Sequence, residues 1–287
     1  MNFSAPVPWL LDHAPYTPFM DARTAGPPGL SPLDMADWIV RHPDFDAQMT
    51  RRAEILAEAG PIALAALNEG EAPALELLSA VKSHLGKDPA LTLKEQYCAL
   101  TALGHMVAED FCLLLPDAES GEYRLVAALL CFPSRWLLTE KMGRPMTVIH
   151  EPVPDYDDML ARRVNRVFEA LRPERPLVRV NWLVHAVPEL HLPMGHSDKL
   201  MAAADPKGPF YLRTERQTLV RLPQTGAVAF GIKTSVTPIE RLSASEATAL
   251  RDGLGTFDAA TMAYRAGSDL IGNAITALDA IACGDAP

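Results

Sequence analysis

The stretch Arg213–Phe230, RTERQTLVRLPQTGAVAF, constrains this chain more than any other. It reads as a β-hairpin, with strands expected over 210–222 and 226–236. A hairpin cannot stand alone, so these strands call for an antiparallel sheet with a helical layer to cover it. Period-2 alternation sends Arg213, Glu215, Gln217 and Arg221 to one face and Arg216 to the other. Such a density of donors suits the gripping of an anion and exceeds what a strand packed only against a core requires.

At 287 residues and 48% hydrophobic, the chain can form one large domain or a core with a helical extension. A net charge of −10 and a pI near 5.3, with no Lys/Arg run longer than Arg51-Arg52 or Arg162-Arg163, argue against nucleic acid and favour a cationic or neutral small substrate. The four cysteines, Cys98, Cys112, Cys131 and Cys283, form no C-x-x-C pair and are expected to be buried free thiols. The N-terminal stretch lacks a basic region followed by an apolar run, and nowhere do about 18 apolar residues follow one another. A soluble, cytoplasmic protein with no membrane partner is expected.

Eight prolines before residue 45 make 1–45 an irregular leader, with a short helix expected from Pro32 to Arg41 behind the Ser31 cap. Helical spacing at 46–59, 73–85 and 93–114, the last opened by the capping box Thr92-x-x-Glu95, predicts a helical region over 46–115. The run YRLVAALLCF from Tyr123 is a candidate buried strand. A helical turn at 137–143 and a loop through Pro145, Pro152 and Pro154 should follow, then a helix with Val164, Val167, Phe168 and Leu171 on one face. Strands at 177–185 and in the hairpin complete a core of about 120–240. Helices over 243–283, the first opened by Ser243-x-x-Glu246, close a single domain spanning 46–287. A strand, then helices, then three sequential strands is an α+β order compatible with a PAS-like domain, in which a sheet covers a pocket.

Together with the hairpin, three phrases carry a resemblance: CFPSRW…EKMGRP…IHEPVP between Cys131 and Pro154, AEDFCLLLPD from Ala108, and VNWLVHAVPELHLP from Val180. Over roughly 105–265 the chain resembles the heme-dependent oxidative N-demethylase alpha-subunit-like family. The resemblance implies a PAS-like antiparallel sheet with flanking helices and a helical N-terminal extension, holding heme b and its iron. It further implies activation of O2 to hydroxylate a small methylated amine, which then releases formaldehyde. Electrons would come from NADPH through flavin and iron–sulfur partner proteins, the reductase subunits of a homo- or hetero-oligomer. The chain's lack of a G-x-G-x-x-G motif and of cysteine clusters is consistent with that division of labour. Ala186 and Val187 stand where relatives often carry an acidic residue, which leaves the amine open.

Eight histidines could supply an axial ligand. His150 ranks first as the metal ligand because the prolines of IHEPVP stiffen its backbone, and His185 second. His191 and His196 fall in a segment that looks like an exposed loop. Arg213, Arg216 and Arg221, then Arg135, are candidates for the heme propionates, since a guanidinium offers a permanently charged fork. The alternative for the hairpin arginines is a salt-bridge ladder with Glu215. For a protonated amine the candidates are Glu215, Trp182 and Tyr156. Trp182 is expected to border the pocket, and Gln217 and Glu215 are the expected catalytic pair. Two other functions fit the same residues: a heme-binding PAS-like sensor, and a ligand-binding protein that has lost heme.

Overall fold

The computed structural model describes residues 7–26, 29–151, 158–265 and 267–284, and the backbone alone of 61, 158–160, 196 and 197. Among these residues the fold is mixed α+β, with helices on both sides of one 7-stranded antiparallel sheet. The chain runs β1 (Ser31–Pro32), α1 (Phe45–Ala59), β2 (Leu64–Ala66), α2 (Glu71–His84), α3 (Leu93–Tyr97), α4 (Ala99–Gly104), β3 (Asp110–Pro116) and β4 (Tyr123–Leu129). It continues with α5 (Leu138–Lys141), α6 (Met146–His150), α7 (Asp158–Ala170), β5 (Leu177–His185) and α8 (Met194–Ala203). The hairpin β6 (Tyr211–Arg221) and β7 (Val228–Pro238) precedes α9 (Ala244–Gly255), α10 (Ala259–Arg265) and α11 (Ser268–Cys283). The strand order is β1-β5-β6-β7-β3-β4-β2, an arrangement compatible with a PAS-like sheet.

The two faces of the sheet are covered differently. One face carries Phe111 and Leu113 against α1, α2 and α4, and Trp182, Val184 and Leu212 against α9 and α11. On the other face Cys112, Leu114, Leu219 and Val228 meet α5, α6 and α7. Along β5 and the middle of β6 and β7 on this second face, Arg179, Asn181, Leu183, Gln217 and Phe230 are only half-buried. This half-covered strip is the candidate site.

Several expectations are corrected. The periodicity expected to give one helix over 93–114 is broken into α3, α4 and β3. β3 is flanked by β4 and β7, and its apolar run DFCLLLP suits a strand buried on both faces as well as a helix, so spacing alone could not separate the two. The helix expected from Pro32 to Arg41 is instead the end of the two-residue strand β1 and one 3-10 turn, Met35–Asp37, capped by the Asp34 side chain on Ala36 N. The loop expected around Pro145 contains α6, while 152–157 lie outside the described residues. The segment expected to be an exposed loop holds buried Leu190 and Leu192 and then α8. Of the four thiols Cys112 and Cys131 are buried, Cys98 is half-buried and Cys283 is exposed. Both capping boxes form as their sequences predict, at Thr92 and at Ser243.

Candidate functional site

The register of β5, β6 and β7 fixes which side chains share the half-covered face. Arg179 lies opposite Gln217, Asn181 opposite Glu215, Leu183 opposite Arg213 and His185 opposite Tyr211. Across the other edge of β6, Gln217 faces Ile232 and Leu219 faces Phe230. Glu215 is the polar centre. Its Oε1 accepts from Arg213 Nε at 3.3 Å, and its Oε2 accepts from Asn181 Nδ2 and Gln217 Nε2, each at 3.3 Å.

One wall comes from α6. The Glu122 carboxylate accepts from Thr147 N at 2.9 Å and from Thr147 Oγ1 at 2.8 Å, which ties the first turn of this short helix to the start of β4. His150 ends the helix, with its Nδ1 3.0 Å from the Met146 carbonyl. A carbonyl only accepts, so Nδ1 is the protonated nitrogen and Nε2 carries the lone pair, the tautomer a metal-binding imidazole needs. Burial is the main reason its pKa lies below the ordinary histidine value, and Lys141 and Arg179 push the same way. The imidazole is therefore favoured in its neutral form.

The opposite wall is built by the CFPSRW phrase and by α10. Asp110 accepts from Cys131 N at 2.8 Å and Phe132 N at 2.7 Å, and its Oδ1 lies 2.9 Å from Arg52 Nη1. Arg213 grips the same phrase from the sheet, donating from Nη2 to the Phe132 carbonyl at 2.7 Å. Beyond this clamp the backbone turns sharply and leaves Arg135 at φ 63, a left-handed conformation unusual for a residue with a Cβ. Arg135 Nη1 donates to the Arg265 carbonyl at 2.9 Å, and Arg265 Nη1 donates to the Trp182 carbonyl at 2.8 Å. Tyr264, whose pKa burial raises, is close enough to sense both Arg135 and Glu215.

The expected arginines thus divide. Arg213 is buried, with donors spread over the Phe132, Glu189 and Leu190 carbonyls, the Thr234 hydroxyl and Glu215. Arg216, on the other face as its parity predicts, donates to the Asp37 carbonyl at 2.6 Å and the Trp38 carbonyl at 3.3 Å, tying the leader to the sheet. Arg221 binds the Leu171, Phe168 and Gly226 carbonyls and the Tyr123 hydroxyl. All three bind main-chain oxygens near the sheet, so the ladder with Glu215 involves Arg213 alone. Trp182 is on the face opposite Glu215, stacked on Phe257 with centroids 5.5 Å apart. His185 shares the site's face but is buried at its end, with its pKa lowered to about 3 by burial and then by Arg213 and Arg135. Tyr156 and the His196 side chain lie outside the described residues.

Among the described residues the guanidinium nitrogens sealed from solvent without a hydrogen-bond partner are Arg52 Nε and Nη1, Arg135 Nε and Arg179 Nε. Arg52 is ion-paired with Asp110 and Arg135 donates through Nη1 to the Arg265 carbonyl, whereas Arg179 has no oxygen partner among the described residues. Arg179 went unnoticed in the sequence. Its parity with Asn181 was available, but its facing partner Gln217 is known only once the β5–β6 register is fixed.

A half-covered sheet face beside a neutral imidazole, with sealed guanidinium nitrogens at Arg135 and Arg179, offers chemistry that a flat, anionic, metal-bearing group would match. Heme has that chemistry, with an iron for the imidazole and two carboxylates for the guanidinium groups, and the residues present fit it. Residues 86–275 match the family described as haem-dependent oxidative N-demethylase, alpha subunit-like, and the chain belongs to that family. Its description carries heme dependence, oxidative chemistry and a place among other subunits. Among the described residues no helix is long and apolar enough to cross a membrane.

Proposed function

We propose that this chain is the heme-bearing oxygenase subunit of a system that demethylates a small methylated amine and releases formaldehyde. What supports this reading is the family match together with a half-covered sheet face whose polar centre is Glu215, with His150 held beside it by the Met146 carbonyl. Heme, when bound, supplies the oxygen activation that hydroxylates an N-methyl carbon. The chain's own residues supply the rest. His150 would hold the iron. Arg135 neutralises one edge of the site. Glu215 attracts a protonated amine, and its oxygens are kept in position by Asn181 and Gln217, so Gln217 acts with Glu215 in orienting the substrate.

Electrons reach the site from NADPH through flavin and iron–sulfur partner proteins in this reading, in keeping with the family's description of an alpha subunit. The test has two parts. Purified protein titrated with hemin should develop a Soret band, and dimethylamine with O2 and a chemical reductant should then release formaldehyde. A Soret band without formaldehyde from any small methylated amine would favour a heme-binding sensor, and no Soret band would remove heme from the account. His150→Ala should weaken heme binding by at least about tenfold and shift the Soret maximum. An unchanged spectrum would exclude His150 as the axial ligand.

A further inference from the structure

We propose that Arg179 anchors a carboxylate of the bound porphyrin. The inference rests on the heme-binding reading above and adds to it a residue which neither the hairpin nor the histidines pointed to. Arg179 lies in β5 directly opposite Gln217, two residues from Asn181 and on the same face as Glu215. Its Nε is sealed from solvent and bonded to nothing among the described residues. A guanidinium N–H sealed from water without an oxygen to bind is costly, and chains generally avoid it.

The neighbouring arginines show what this sheet does when an arginine is structural. Arg213, Arg216 and Arg221 each find carbonyl oxygens. Arg179 finds none, and the carboxylate whose charge it senses, Glu215, already accepts from Arg213, Asn181 and Gln217. Burial pulls the Arg179 pKa below the ordinary arginine value, with Glu215 opposing the shift and Arg265 adding to it. The same charge is felt at His150, so an anion bound by Arg179 would sit on the imidazole's side of the site. A planar fork of donors matches a carboxylate in two-point contact.

A carboxylate could belong to the porphyrin or to an acidic substrate, and titrations with hemin and with its dimethyl ester distinguish them. Wild-type protein should bind hemin more tightly than the ester. Arg179→Gln should bind hemin about 10–100-fold more weakly than wild type and lose most of the preference over the ester. Arg179→Lys should recover part of the affinity. Apo R179Q should melt no lower than wild type, because the Arg179 donors hold no oxygen in the apo fold, and this separates a binding defect from a folding defect. Equal hemin affinity in wild type and R179Q overturns the proposal while leaving the heme reading intact. If R179Q binds hemin normally but raises KM only for carboxylate-bearing amines, the anion is the substrate's and the proposal fails. A wild-type protein that gives no Soret band overturns both.

Discussion

A buried guanidinium stabilises a fold only when its donors meet oxygen, and the arginines of this sheet make the point one residue at a time. Arg213 meets that condition fully, holding the Phe132 and Leu190 carbonyls and Glu215 at once. Arg213→Met should therefore leave buried carbonyls and a carboxylate short of donors, at a cost of about 3–5 kcal/mol in chemical denaturation. A loss below about 1 kcal/mol would mean that water replaces the guanidinium without penalty. Strand alternation alone separated Arg216 from its neighbours, and the structure keeps that separation. It could not reveal that Arg213, Arg216 and Arg221 bind main-chain oxygen, because those carbonyls come from distant segments. For Trp182, expected beside the site, parity with Val184 and Val180 puts the ring on the other face, a consequence that follows only when Glu215 and Asn181 are known to be paired.

Among the elements, those with chemical punctuation were legible and those defined by burial were not. Thr92 and Ser243 announce their helices, and both capping boxes close with reciprocal bonds. Ser243→Ala removes the acceptor for Glu246 N and should cost about 1 kcal/mol by thermal or urea unfolding, with the fold otherwise intact. β3 gave no such signal, since a strand packed on both faces has the apolar continuity of a core helix. The short strands β1 and β2 were invisible for another reason. Two or three residues each are too few for alternation, and each exists only because a longer strand lies alongside. α6 was hidden behind Pro145, which caps the helix start as readily as it marks a loop. The rigidity expected of His150 has its visible source in Glu122 and the Met146 carbonyl.

For the whole molecule, burial of titrating groups predicts sensitivity to acid. His185 is held at about 3, and His42, His150 and His191 are also lowered, in each case chiefly by burial. The unfolded chain protonates its histidines near pH 6.5 while the folded chain resists. The stability these groups contribute is thus complete above about pH 6.5 and falls as pH drops toward 3, with a slope of up to about 1.4 kcal/mol per pH unit for each such histidine. Asp21 and Glu95, both held at about 2 chiefly by hydrogen bonds, add a loss at the acid end of that window. Glu109, whose pKa burial raises, opposes the trend. Urea midpoints measured between pH 7.5 and 4 should decline steadily. A flat profile would mean that the buried histidines take up protons without disturbing the fold.

By itself the sequence determined the α+β class, the hairpin, the two capping boxes and the family, since each is carried by neighbouring residues whose spacing dictates local geometry. Tertiary structure decided which guanidinium groups are satisfied and which are not. Oxygen partners arrive from segments far apart in the chain, so only the completed register of β5 on β6 could leave Arg179 facing the site with a donor and no acceptor.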